Sequence, residues 1–151
     1  DVDILYGPAY KGITLVAAAS IAYANVHNKD IPFAFNRKEA KDHGEGGVLV
    51  GAPLQGNAVI LDDVITAGTS VRESVVIIEA ANATPAGVLI ALNRQEKGEN
   101  EVSAIDEVSE RFNMPVISII SLEHIIEFIE SDSAYADNIT AIQHYQEQYG
   151  L

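Results

Sequence analysis

An α/β fold, with a doubly wound and mainly parallel sheet carrying helices on both faces, is predicted by three observations. Short apolar runs rich in β-branched residues, at positions 4–6, 31–35, 58–61, 86–92 and 116–120, alternate with stretches of helical periodicity. That alternation is the pattern of buried parallel strands joined by crossover helices. The residues that carry charge and chemistry, Lys11, Arg37, Lys38, Lys41, Asp62, Asp63 and Arg94, each follow the end of one of those runs, and open α/β sheets bind ligands beyond the carboxyl ends of their strands. No repeat or linker divides the 151 residues, so residues 1–151 are expected to form one domain.

Composition narrows the class. Hydrophobic residues make up 48% of the chain with only five prolines, enough to build an ordered core. There is no cysteine, which excludes disulfide staples and thiolate metal sites. No apolar run approaches the roughly 20 residues of a membrane helix, and the opening Asp1-Val2-Asp3 is not a signal peptide, so a cytoplasmic protein is expected. The net charge of −13 disfavours nucleic-acid binding, which needs basic surfaces. Five of only nine Lys and Arg residues, Lys11, Arg37, Lys38, Lys41 and Arg94, fall at loop positions; in an acidic protein this points to a focused site for an anionic ligand.

The first strand, Ile4-Leu5-Tyr6, begins after only three residues, and so abrupt a start suggests an absent upstream segment. Gly7-Pro8-Ala9-Tyr10-Lys11-Gly12 reads as a turn whose glycines allow close backbone approach and which projects Lys11. Residues 13–26 are Ala-rich and free of Gly and Pro, hence helical. The strand at 31–35 tolerates Pro32 near its beginning. Residues 36–47 then hold three cations (Arg37, Lys38, Lys41), three acids (Glu39, Asp42, Glu45), His43 and three glycines, with almost nothing to bury. Such a segment suits a mobile lid, placed at about 36–48, closing over a charged ligand; an ordinary solvated hairpin loop has the same composition.

The chain is organised around residues 59–70. Val59, Ile60 and Leu61 fit a buried strand, Asp62 and Asp63 end it, and Thr66, Ala67, Gly68, Thr69 and Ser70 turn into a helix. Ser70 with Glu73 three residues on is a capping-box pair. A helix start preceded by small and hydroxyl residues offers free N–H groups and the positive end of its dipole to an anion. The lysine of an ATP-type loop is missing. Carboxylates repel phosphate but accept hydrogen bonds from sugar hydroxyls and hold hydrated Mg²⁺, so the stretch suits a sugar phosphate; two aspartates can also simply end a strand.

Val71, Val75, Ile78 and Asn82 mark one face of the following helix. After the strand at 86–92 come Asn93, Arg94 and Gln95. Ser103 caps a helix with Ile105, Val108 and Phe112 on one face. Beyond the strand at 116–120, Leu122, Ile125, Ile126 and Ile129 define an amphipathic helix, and Tyr135, Ile139, Ile142 and Tyr149 a last one. Of the four histidines, only His43 lies in a site-like loop; His27, His124 and His144 are read as solvated.

Residues 61–70 resemble the motif by which type I phosphoribosyltransferases bind 5-phosphoribosyl-1-pyrophosphate (PRPP). Taken with residues 7–12, residues 36–47 and Asn93-Arg94-Gln95-Glu96, the chain resembles the orotate phosphoribosyltransferases over essentially its whole length. The lid is the most member-specific part. The resemblance implies the type I phosphoribosyltransferase fold and transfer of ribose 5-phosphate from PRPP to N1 of orotate in pyrimidine biosynthesis. It also implies Mg²⁺ as cofactor and a homodimer in which each lid reaches the neighbouring subunit's site.

By that resemblance Asp62 and Asp63 hold the ribose hydroxyls and the metal, directly or through water. Thr66, Ala67, Gly68, Thr69 and Ser70 bind the 5′-phosphate, and Lys11, Arg37, Lys38, Lys41 and His43 meet the pyrophosphate, Lys41 and His43 with a catalytic share. Arg94, with Thr66, receives orotate. The family's N-terminal hood has no counterpart in this sequence, so weak orotate turnover with retained PRPP binding is expected. Two rivals remain: a phosphoribosyltransferase for purine bases, and a non-catalytic PRPP-sensing regulator.

Overall fold

In a computed structural model, which describes residues 1–41, 47–98, 102–131 and 133–150, six strands form one sheet in the order β3-β2-β1-β4-β5-β6. The strands are β1 Ile4–Gly7, β2 Phe33–Lys41, β3 Gly47–Gly51, β4 Asn57–Asp62, β5 Thr84–Asn93 and β6 Val116–Ser121. All neighbours pair in parallel except β2 with β3, an antiparallel hairpin at one edge. The helices are α1 Lys11–His27, α2 Thr69–Ala80, α3 Ala104–Phe112, α4 Leu122–Ser131 and α5 Ala136–Tyr149. No described helix is long and apolar enough to cross a membrane.

The period of two along each strand sorts the core onto two faces. Ile4, Tyr6, Ile60, Val88 and Ile90 pack with Val71, Val75 and Ile78 of α2 and Ala104 and Val108 of α3. Leu5 and Leu61 point the other way, onto Val16 of α1, with Leu15, Ala19 and Leu89 beside them. Val16 is fully buried, a contribution of about 1.5–3 kcal/mol for a side chain of its kind. The second face is only partly covered. Leu89 pairs in register with Ile117, and Ile117 and Ile119 of β6 are 60% and 70% exposed because α1 contacts β1, β2 and β4 rather than β6.

Several elements differ from the sequence expectations. The second strand does not stop at residue 35 but runs to Lys41, and the segment read as a loop continues into the β2–β3 hairpin, with Asn36 opposite Leu49. Backbone pairing outweighs a composition with nothing to bury. Helix α1 starts at Lys11, two residues early. Asn82, placed on the face of α2, lies beyond its end with a left-handed backbone. Ser103 caps α3 as predicted, its hydroxyl accepting from the N–H groups of Ile105 and Asp106.

Candidate active site

The sheet brings the carboxyl ends of β1, β4 and β5 side by side, and the chemistry collects there. Gly12, in the first turn of α1, is forced by a close crossing: a Cβ at that position would lie 2.8 Å from the Leu61 carbonyl oxygen. This proximity sets Lys11 over the end of β4, where its ammonium pairs with an Asp63 carboxylate oxygen. The pair is open to solvent, the side chains 72% and 32% exposed, so it arranges charge rather than holding the fold. Its hydrogen bond and the Asp63 charge raise the Lys11 pKa. The nearby Arg94 charge acts on Lys11 in the opposite sense.

The two aspartates differ. Asp62 is buried, one carboxylate oxygen accepting from the Asp63 N–H at 2.9 Å and the other from the Ser70 hydroxyl at 2.8 Å. Burial pushes its pKa up, against the pull of those hydrogen bonds. Burial pushes Asp63 up as well, but the Lys11 hydrogen bond and charge and the Val64 N–H outweigh it and hold Asp63 below the ordinary carboxylate value. Asp63 is therefore the ionised, outward carboxylate, and Asp62 the one that braces the loop from inside.

That bracing revises the helix start. The capping box read from Ser70 and Glu73 does not form. The N-cap of α2 is Gly68, and no side chain caps it: the helix already begins at Thr69, which puts Ser70 inside the first turn, where its hydroxyl donates to Asp62. Gly68 adopts φ 65°, a left-handed backbone suited to glycine, and a Cβ there would approach Val108 to 2.8 Å. Among the described residues no side chain accepts from the first N–H groups of α2, a better anion cradle than a capped helix.

Beside this start lies a cleft of about 740 Å³ between α2 and the β2–β3 hairpin, with Asn36, Arg37, Lys38, Thr69, Ser70 and Arg72 in its walls. The Asn36 side chain accepts from the Ala9 N–H at 2.9 Å, tying β2 to the loop after β1. Lys38 sits over the Tyr10 ring at 5.1 Å. Lys11, Asp62, Asp63 and Arg94 lie outside the walls of this cleft; Ser70 links the two groups. His43 and the side chain of Lys41 lie outside the described residues. Arg94, just past β5, forms an ion pair with Glu96 at 2.8 Å. Its strand is locked to β4 where the Asp63 carbonyl accepts from the N–H groups of Ala91 and Leu92, both at 3.0 Å.

Comparison with known proteins agrees with this geometry. No family model matches the chain. An orotate phosphoribosyltransferase of Stutzerimonas stutzeri is 60% identical over 153 residues, covering all of this chain and 71% of its own length. The chain belongs to the orotate phosphoribosyltransferase family. The orotate phosphoribosyltransferase of Pseudomonas paraeruginosa is 57% identical with the same coverage. A crystal structure of the orotate phosphoribosyltransferase of Francisella tularensis superposes with a TM-score of 0.80 at 40% identity, over all of this chain and 72% of that one. The six-stranded sheet is thus the type I phosphoribosyltransferase fold of that family.

Sequence reasoning missed Glu96 and Tyr145 as neighbours of Arg94. Tyr145 donates to the Glu96 carboxylate across 49 residues of sequence. Tyr145 is absent from the face read for the last helix, and no local pattern links it to the residues after β5.

Proposed function

We propose that the chain transfers ribose 5-phosphate from PRPP to N1 of orotate, forming orotidine 5′-monophosphate and pyrophosphate for pyrimidine synthesis in the cytoplasm. The observation that carries the donor half is the junction of β4 and α2: a paired acidic strand end joined by Ser70 to an uncapped helix start. In the reaction the bond from C1′ to the pyrophosphate oxygen breaks and the bond from N1 to C1′ forms, with loss of the N1 proton. The ribose becomes cation-like at C1′ as the anion departs, so the protein stabilises charge and supplies no covalent nucleophile.

Each group has a part in this reading. Thr66, Ala67, Gly68, Thr69 and Ser70 bind the 5′-phosphate at the open N-terminus of α2. Asp62 and Asp63 take the ribose hydroxyls, and their negative charge favours the cationic ribose. Lys11, Arg37, Lys38, Lys41 and His43 meet the pyrophosphate, and Arg94, with Thr66, takes the carboxylate of orotate in a charge-assisted pair.

The donor set also suits Mg²⁺, which takes hard oxygen ligands and is commonly held by one or two carboxylates together with substrate phosphates. Asp63 is ionised and partly exposed, and Asp62 adjoins it. When bound, the metal would neutralise pyrophosphate charge. A homodimer whose lids, about residues 36–48, reach into each other's sites completes the reading and would keep water from the reactive ribose.

The test is product formation with PRPP, Mg²⁺ and orotate, with hypoxanthine and adenine as controls. PRPP-dependent release of orotidylate, however slow, is the expected result. Turnover of either purine in its place would overturn the acceptor, and nucleic-acid binding with no transfer at all would overturn the enzyme.

A further inference from the structure

We propose that Glu96 and Tyr145 are positioning residues for the acceptor base: Tyr145, on the last helix, holds Glu96, and Glu96 holds the Arg94 guanidinium at the edge of the site. The proposal rests on the reading that Arg94 grips the carboxylate of orotate. Both Glu96 carboxylate oxygens are engaged, one by an Arg94 terminal nitrogen at 2.8 Å and the other by the Tyr145 hydroxyl, and the Glu96 side chain is only 16% exposed. The Tyr145 hydroxyl is correspondingly raised in pKa, first by that hydrogen bond.

Tyr145 is itself anchored. Its ring packs against Tyr149 with centroids 5.0 Å apart, the Lys97 N–H donates to the Tyr149 carbonyl at 2.9 Å, and Glu96 bridges in antiparallel fashion to Gly150. The end of α5 is thus stitched to the stretch that carries Arg94.

Arg94 is held but not shut in. Its Nε is buried without a hydrogen-bond partner among the described residues, while the side chain as a whole stays 30% exposed, and it is that exposed part that a carboxylate can meet in a charge-assisted pair. Glu96 also solves a problem of selectivity within the site. Arg94 follows the strand whose Ala91 and Leu92 N–H groups donate to the Asp63 carbonyl, so it shares the sheet edge with the aspartates, and an untethered guanidinium there is free to turn to them or to the phosphates of PRPP. Held by Glu96, it is kept for the base.

Steady-state kinetics with each substrate varied test this. Glu96→Ala should raise the KM for orotate about tenfold and leave the KM for PRPP within about twofold, the split expected of lost acceptor orientation. Glu96→Gln should restore most of the loss, since its carbonyl still accepts from Arg94 and its amide can donate to Tyr145. Tyr145→Phe should raise the orotate KM about threefold with an unchanged melting temperature. If Arg94→Ala raises the orotate KM but Glu96→Ala and Tyr145→Phe do not, the positioning role is overturned and the Arg94 reading stands. An orotate KM untouched by Arg94→Ala overturns both.

Discussion

At the residue scale, Asp62 shows how a site residue can be held against its own ionisation. Its folded-state pKa lies above the ordinary carboxyl value of 3.8, chiefly through burial. Ionising it therefore weakens the fold: stability falls as pH climbs from about the unfolded value through the raised one. Asp63 runs the other way, its lowered pKa contributing stability that is lost as pH falls through the folded value. Asp62→Asn keeps the shape, because the amide oxygen can accept from the Asp63 N–H while the amide nitrogen donates to the Ser70 hydroxyl. The variant should melt at or above the parent temperature at pH 7, with the difference closing toward acid pH, yet lose about a hundredfold in kcat/KM. A lower melting temperature at neutral pH would contradict the strain assigned to this carboxylate, and a near-normal rate would remove it from the chemistry. The acidic pair was legible in the sequence. Its division into an inner and an outer carboxylate was not, because burial and the approach of Lys11 depend on where α1 crosses β4.

At the scale of the element, the join of β4 to α2 rests on Gly68. Replacing it with Ala puts a side chain on a left-handed backbone, at a cost of about 1–2 kcal/mol, and drives a methyl into Val108 of α3. Gly68→Ala should lower the unfolding free energy measured in urea by that amount and weaken PRPP binding severalfold; an unchanged affinity would separate the loop conformation from phosphate recognition. The glycine itself stood out in the sequence, and so did the helix after it. The cap was misread because α2 starts at Thr69 rather than after Ser70, with the Ser70 hydroxyl donating to a buried carboxylate eight residues earlier, a tertiary contact that no local helix rule weighs. Strand β2 shows the same competition, its charged second half drawn into pairing by β3.

On the scale of the whole molecule, the sheet gathers residues from positions 11 to 94 at one edge, while Arg37 and Lys38 stand across the cleft on the hairpin. If the lids act between subunits, two defects on different chains should complement. A Lys41→Ala chain mixed in equal amounts with an Asp62→Asn, Asp63→Asn chain should recover about a quarter of parental activity, since half the random dimers carry one intact site. No recovery, with dimers shown by sedimentation, would place each lid over its own site. Alternating apolar runs and helical periods were enough to determine the α/β class and the two faces of the core, because side-chain burial follows the period of each element. The residues at 62–70 were enough to indicate a sugar-phosphate donor, because phosphate recognition is local, built from consecutive N–H groups and small side chains. Tertiary structure alone decided the pairing of Lys11 with Asp63, the commitment of Ser70 to Asp62 and the hold of Tyr145 on Glu96. Those contacts join segments separated along the chain, and a hydrogen bond is chosen by distance in space.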